Sequence, residues 1–264
     1  MAAAGPVALV DTHLHAQYAA HQDDIYRGYR TGQVVELALA LREVTKPVVA
    51  VGDFNMREGL PEHAIFEALS GLRDQAAVLD RRAPTTLADN PYRDPGVFEP
   101  ESRIDYAFAR PGLQRGLRAL SVERVFDEAL EFEQEPGAYS DHAGVVAEFA
   151  MEGPGQTLAP IPSDAVPKAS AILRASRLRS EARQRDRRAV AGAAGVAAGG
   201  SILVLRNPAV RRRRFLQWLA AGGAVLALSV GTGALTLSEI YAPRDLRAHD
   251  DVLSLLEAVQ AQGR

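Results

Sequence analysis

The sequence predicts an α+β domain followed by a helical membrane tail. Three observations carry that prediction. Short apolar runs alternate with amphipathic stretches through residues 1–150. A Pro-rich break follows at 152–167. Beyond it, two apolar segments without charge, 189–205 and 215–237, sit between clusters of arginine.

Within the first 150 residues the elements follow in order. Val7 to Val10 is an apolar run that predicts a strand ending in the polar cluster Asp11-Thr-His13-Leu-His15. The stretch MAAAGPVALVD lacks a basic region and its apolar run is too short for a secretory signal, so the chain is expected to begin inside a folded element. Tyr29 to Val44 places Val34, Val35, Leu37, Ala38 and Leu41 near helical spacing, and Lys46-Pro47 ends the helix. Val48 to Val51 is too short for a helix and reads as a buried strand emptying into the turn-like Gly52-Asp53-Phe-Asn55. Pro61 to Leu69 predicts a second helix, 83–102 a long Pro-, Asp- and Asn-rich surface loop, and Ile104 to Ala109 and Val145 to Phe149 two further strands.

The remainder reads differently. Glu152 to Pro167 holds four prolines and two glycines, a composition that suits a linker rather than a core. Together with the basic stretch up to Arg188, which has seven arginines from Arg174 onward, it forms a segment 151–188. The apolar segments 189–205 and 215–237 then predict a membrane hairpin over 189–237, since a span needs about 20 apolar residues and an arginine at its centre costs about 2.5–3.5 kcal/mol. A single core helix with a Gly/Ala-rich linker is the competing reading, and arginine clusters on both flanks disfavour it. Topology stays open. Both the first flank and the central loop (Arg206, Arg211 to Arg214) are basic, so either 189–205 is re-entrant or one cluster is overruled. In the tail 238–264, Asp250 to Gln260 predicts an amphipathic helix.

Charge divides the same way. The 264 residues carry a formal net charge of −3, but residues 1–150 hold 14 Lys and Arg against 24 Asp and Glu, and the rest hold 16 against 9. An acidic domain is a poor partner for nucleic acid, whose binding relies on basic groups meeting phosphates, and a basic tail suits a lipid surface. With no cysteine, disulfides and thiolate zinc sites are excluded, so any metal rests on oxygen and imidazole ligands.

Four clusters in the acidic half can carry chemistry: Asp11-Thr-His13-Leu-His15, Gly52-Asp53-Phe-Asn55, Arg103-Ile-Asp105-Tyr and Ser140-Asp141-His142. Each lies near a predicted strand end, where loops converge. Carboxylates that hold Mg²⁺, an imidazole that deprotonates water and a second donor for phosphate make a set suited to metal-assisted hydrolysis. Each cluster alone has a plainer reading. Asp53 and Asn55 make an Asx-turn, His15 is a surface histidine, and Asp105 pairs with Arg103.

In that order, THLHAQY, GDFN, RIDY and SDH resemble the C-terminal half of the endonuclease/exonuclease/phosphatase superfamily. More narrowly they resemble its neutral sphingomyelinase branch, which includes the inositol-phosphosphingolipid phospholipases C. The run Thr12 to Tyr18, then Asp24-Ile-Tyr-Arg and Arg30 to Leu37, is closer to that branch than to DNases or inositol phosphatases. The resemblance covers 7–150 by motif and 189–237 by architecture. It implies the C-terminal half of a two-layer β-sandwich flanked by helices over 1–150, followed by C-terminal transmembrane helices. It also implies roles. Asp53 and Asn55 position the attacking water and the scissile phosphate, and His142 is the general base, oriented by Asp105. Asp141 contributes to the Mg²⁺ site, and His13 donates to a phosphate oxygen, so that His13 and Asn55 also bind substrate.

One departure bears on activity. The family begins with a further long stretch bearing an Asn and a Glu that is a principal Mg²⁺ ligand, and nothing upstream of Val7 supplies them. The expectation is therefore a partial catalytic domain whose strands at Val48–Val51 and Val145–Phe149 expose apolar faces and unpaired edges. Three functions follow. The first is a membrane-anchored, Mg²⁺-dependent phospholipase C that hydrolyses sphingomyelin or a related phosphosphingolipid and has no nucleic-acid partner. The second is another phosphodiesterase or nuclease of the superfamily. The third is a catalytically incomplete, membrane-tethered fragment.

Overall fold

The computed structural model describes residues 5–16, 26–87, 101–128, 130–132, 135–137 and 140–262. Gln17, Tyr18, Asp24, Ile25 and the centre of the 83–102 loop lie outside the described residues. The chain divides into two compact units, Met1–Leu173 with Ser254–Arg264, and Arg174–Leu253.

The first unit is α+β, as its alternating pattern predicts. Its main sheet has four strands in the order β1 (Ala8–His13), β2 (Val48–Asp53), β4 (Asp105–Arg110) and β3 (Arg73–Asp74). β1 and β2 run parallel, joined through helix α1 (Arg27–Arg42), and β4 is antiparallel to both β2 and β3. A parallel pair needs such a crossover. Strand β5 (Arg118–Val125) pairs antiparallel with β8 (Gly144–Ala150), with a register shift between Ala119 and Ser121, and β6 (Leu130–Phe132) pairs with β7 (Glu135–Gly137). Helix α2 (Pro61–Ser70) starts on a proline, which needs no N–H partner there, and ends on Gly71 in the left-handed conformation. A single turn, α3 (Gln75–Val78), is capped by the Asp74 carboxylate.

The core lies where α1 and α2 meet the sheet. Val34, Val35 and Ala38 of α1 and Phe66 and Leu69 of α2 are wholly buried, as are Val48 and Ala50 of β2. Phe54, Phe66 and Phe108 meet edge to face at 4.8–5.1 Å between centroids.

Three expectations change. The polar cluster after Val10 does not end β1, because backbone pairing with β2 carries the strand through Asp11 to His13. Likewise Gly52 and Asp53 belong to β2 rather than to a loop. The Val48–Val51 strand exposes neither an apolar face nor an edge, since β1 and β4 pair with its two sides and Val48, Val49 and Ala50 are buried. Apolar exposure falls instead on Leu9 of β1 (69%) and, in β8, on Val146 (46%). The Pro-rich segment is also more than a tether. Gln156 N–H donates to Gly112 C=O at 2.9 Å and Arg115 bridges to Pro154, so it lies along the first unit.

The basic stretch and the first apolar segment form one unbroken helix, α4, which runs from Ala165 to Arg206. A short α5 (Pro208–Arg211) leads to α6 (Arg214–Thr236), a π-helical turn (Leu237–Tyr241) and α7 (Ala242–Gln262). Ala194 of α4 packs against Gly231 of α6, where an added Cβ would lie 3.2 Å from the alanine's. Beyond the apolar segments, Arg188 pairs with Glu239 at 2.6 Å and Arg177 with Asp250 at 2.6 Å. By length and composition two helices of this tail suffice to cross a membrane, and only 11% of each apolar window is buried.

Candidate active site

Strand register assembles the site. His13 lies opposite Asp53 on β2, and Asp53 lies opposite Asp105 on β4. Residues in lateral register project to the same face of a sheet, so three clusters far apart in sequence form one row where β1 and β2 end and β4 begins. Gly52 makes that row possible. Its φ is +125°, and a Cβ there would lie 2.0 Å from the carbonyl oxygen of Thr12, so no side chain fits between the strands.

Asp53 is held from several sides. Its Oδ1 accepts the Asn55 backbone N–H and its Oδ2 accepts Asn55 Nδ2, both at 2.8 Å, while His13 Nε2 lies 3.4 Å from Oδ2. Asn55 Nδ2 also donates to Leu14 C=O at 3.0 Å. The Asx-turn reading of this pair is thus correct, and the turn itself sets the side chains. Asn55 sits at φ +48°, a left-handed conformation that asparagine tolerates better than most residues.

His142 arrives from the segment before β8. Thr86 bridges to it, and the Ala143 N–H donates to Thr85 C=O at 2.7 Å. Its Nδ1 lies 2.8 Å from Asp105 Oδ2. Asp105 does not pair with Arg103, which turns away to Asp74 and Glu58 at 2.6 and 2.7 Å. One atom each from Asp53, Asp105 and His142 lies within 4.8 Å of the others.

Electrostatics follow from this crowding. The Asp53 carboxyl is held above the usual carboxylate range, first by burial and then by the neighbouring Asp105 charge, despite the opposing Asn55 hydrogen bond. His142 is pushed up to about 9, chiefly by its hydrogen bond to Asp105, with Asp53 and Asp141 adding to it. Two carboxylates and an imidazole with this excess of negative charge suit a hard divalent cation, which takes oxygen ligands and completes its shell with water or phosphate.

Of the residues singled out from the sequence, His13, Asp53, Asn55, Asp105 and His142 come together. Asp141 is exposed, with its backbone carbonyl accepting from Leu87 N–H at 2.8 Å. Among the described residues it is not part of the close carboxylate–histidine group. His15 is not a bare surface histidine. Its ring stacks on Tyr26 at 4.6 Å and its backbone N–H donates to Gln33 Oε1. Two supports escaped the sequence reading. The Thr85 hydroxyl accepts the Ile104 and Asp105 N–H groups at 3.1 Å each. The fully buried Arg30–Glu62 pair (3.0 Å) reaches His15 C=O through Arg30 Nη1 at 3.2 Å. Nothing local marks Thr85, while a charged residue at each end of a 32-residue separation was the only sign of the pair.

Fold and site define a hydrolase-type centre of carboxylates and imidazole on a mixed sheet. The profile of the Endonuclease/Exonuclease/phosphatase family matches residues 7–142, just over half of the chain, and the chain belongs to that family. Its members are phosphodiesterases, phosphatases and nucleases and are generally metal-dependent. Several solved structures are similar. TDP2 of D. rerio, complexed with a single-strand DNA product, is 21% identical with a TM-score of 0.43, over 54% of this chain and 55% of that one. Sphingomyelinase C from Streptomyces griseocarneus is 20% identical with a TM-score of 0.34, over 53% and 51%. The human nocturnin catalytic domain is 21% identical with a TM-score of 0.35, over 54% and 46%. The chain thus spans about half the length of these structures. No curated protein sequence matches it.

Proposed function

We propose that the chain carries the catalytic centre of a Mg²⁺-dependent phosphodiesterase of the phospholipase C type, acting on sphingomyelin or a related phosphosphingolipid beside the membrane. The observation that carries the hydrolytic reading is the Asp105–His142 dyad at 2.8 Å, set next to Asp53 and Asn55. The narrower substrate reading rests on the motif resemblance, on the acidic charge of residues 1–150, which disfavours polyanions, and on the two apolar helices.

In this reading Asp53 and Asp105 would hold Mg²⁺, Asp141, which directly precedes His142 in the chain, would contribute to the site, and the ion would supply charge neutralisation at the phosphate. Asp105 fixes the tautomer of His142, as a carboxylate on the far nitrogen does. With the charge of the two carboxylates offset, His142 would be held less strongly in its protonated form, and its Nε2 is the atom that would take a proton from water as the water attacks phosphorus. His13 is the donor for a phosphate oxygen, and a preorganised donor of this kind contributes about 3–4 kcal/mol, while Asn55, whose two amide hydrogens are engaged by Asp53 and Leu14, holds Asp53 in position. The bond from phosphorus to the ceramide oxygen breaks, releasing ceramide and the phosphorylated head group.

Release of labelled phosphocholine from sphingomyelin in mixed micelles, with and without Mg²⁺, tests the proposal. The His142→Ala variant is expected to lose turnover. Undiminished turnover in that variant overturns the assignment of the base. Mg²⁺ binding by calorimetry without turnover favours a binding role over an enzymatic one.

A further inference from the structure

Far from the catalytic row, the first unit holds a groove of about 560 Å³ between α2, the end of β4 and the Pro-rich segment. Arg42, Arg110, Gln75 and Thr157 line it. Arg110 pairs in register with Val48 at the opposite end of β2 from Asp53. Five residues of strand separate the groove from the row, roughly 17 Å.

The groove is cationic, and the charge is not matched. Arg110 is 4% exposed. It donates only to carbonyls, Leu41 and Val44 at 2.8 and 2.5 Å and Pro111 at 3.1 Å, and its buried Nε has no partner. Arg42 likewise donates to carbonyls, Leu69 at 3.2 Å and Ala159 at 2.6 Å. Among the described residues neither guanidinium meets a carboxylate. Both come near Gly71, where an added Cβ would be 2.7 Å from Leu158 Cδ2 and 3.9 Å from Arg42 Nη1 and from Arg110 Cδ. Glu67 also lines the groove, but its carboxylate is engaged by the Asp74 N–H at 2.9 Å and by Arg73 at 3.4 Å.

Helix C-termini explain part of this, because guanidinium groups cap the last carbonyls of a helix. They do not explain two like charges side by side, one of them buried with an idle N–H, in a space larger than its own side chains fill. Burial and the proximity of Arg42 both push Arg110 below the usual arginine range, as expected where a counter-charge is missing.

We infer that this groove is a binding site for a phosphate-type oxyanion, held between Arg42 and Arg110. The hydrogens that these carbonyls leave free on the two guanidiniums, together with their neighbouring positive charges, suit a tetrahedral oxyanion, and the same anion would tie Thr157 to Pro162 of the Pro-rich segment to the body of the unit. The shared chemistry is a phosphate group, either free or at the head of an acidic lipid.

The experiment follows the Arg110 Nε–Hε signal in ¹⁵N-arginine-labelled full-length protein, assigned by its loss in Arg110→Lys. Inorganic phosphate is titrated in detergent micelles, and nanodiscs with and without phosphatidic acid form the second arm. The wild-type signal is expected to shift on saturation, and Arg42→Met to weaken that response about tenfold while the His142 ring signals still respond to phosphate. Arg42→Lys, which keeps the charge, is expected to retain part of it and stands in if Arg42→Met fails to fold. A shift with inorganic phosphate assigns the site to soluble phosphate, and one seen only with phosphatidic acid assigns it to a lipid head group. No shift in either arm, or an unchanged response in both Arg42 variants, overturns the inference.

Discussion

Replacing Asp105 by asparagine isolates what holds His142. The hydrogen bond at 2.8 Å and the Asp105 charge are the main reasons the imidazole is pushed from 6.5 up to about 9. Asparagine keeps the size and removes the charge, so the His142 pKa should fall by about two pH units, back toward the ordinary value. The interval from 6.5 to about 9 sets a ceiling of about 3 kcal/mol at about 1.36 kcal/mol per pH unit. The His142 side chain is 27% exposed, and solvent screening reduces the contribution to about 1–2 kcal/mol. Because the folded-state pKa lies above the unfolded one, this stabilisation is fully present below pH 6.5 and is lost as pH rises through about 9. The assay is a pH titration of the histidine Cε1–H signals in Mg²⁺-free micelles, with His142→Gln for assignment. The wild type should titrate near pH 9 and Asp105→Asn well below 8, and the variant's thermal stability should change less between pH 6 and 9 than the wild type's. A His142 signal that titrates at the same pH in both proteins refutes the reasoning.

Other perturbations test the supports. Gly52→Ala puts a methyl group 2.0 Å from Thr12 C=O, and soluble folded protein should be largely lost on expression, as read by circular dichroism. Asn55→Ala removes the bonds to Asp53 and Leu14 and leaves an alanine at positive φ, lowering stability by about 1–3 kcal/mol in denaturant melts. Asn55→Gly should recover the strain but not the turnover. Glu62→Gln strips the carboxylate from a fully buried guanidinium and should destabilise by about 3–5 kcal/mol. Mg²⁺ should raise the melting temperature of the wild type and not that of Asp53→Asn, measured by differential scanning fluorimetry.

The fold class, both central helices and the residues of the row were legible because their signals are local. Val34 to Leu41 repeats with helical period, Val48 to Val51 is a short apolar run, and GDFN and SDH are contiguous motifs. Strand ends were misjudged because polarity marks a strand's exposure, whereas pairing decides its length. Asp11, Thr12 and His13 look like a loop and are a strand because β2 supplies their hydrogen bonds. Strand β5 passed unnoticed, since its alternation of Arg118, Ala119, Leu120 and Ser121 is interrupted by the register shift. Arg103 beside Asp105 suggested an ion pair, yet Arg103 precedes β4, and only the tertiary structure shows that its guanidinium lies against Asp74 and Glu58 instead. Thr85 and the Arg42–Arg110 groove depend on contacts between distant segments, which no window of sequence contains.

The position of His142 on a segment before β8, while Asp105 opens β4, has a thermodynamic consequence. The hydrogen bond between them joins the four-stranded sheet to the chain that leads into the β5–β8 pair. A ligand bridging that row therefore binds only when both sheets are in place and resists their separation. Its binding free energy adds to the cooperativity of unfolding rather than to one loop's order. Amides of β4 and of β8 should then slow their hydrogen exchange together when the row is filled, as two sheets that open as one.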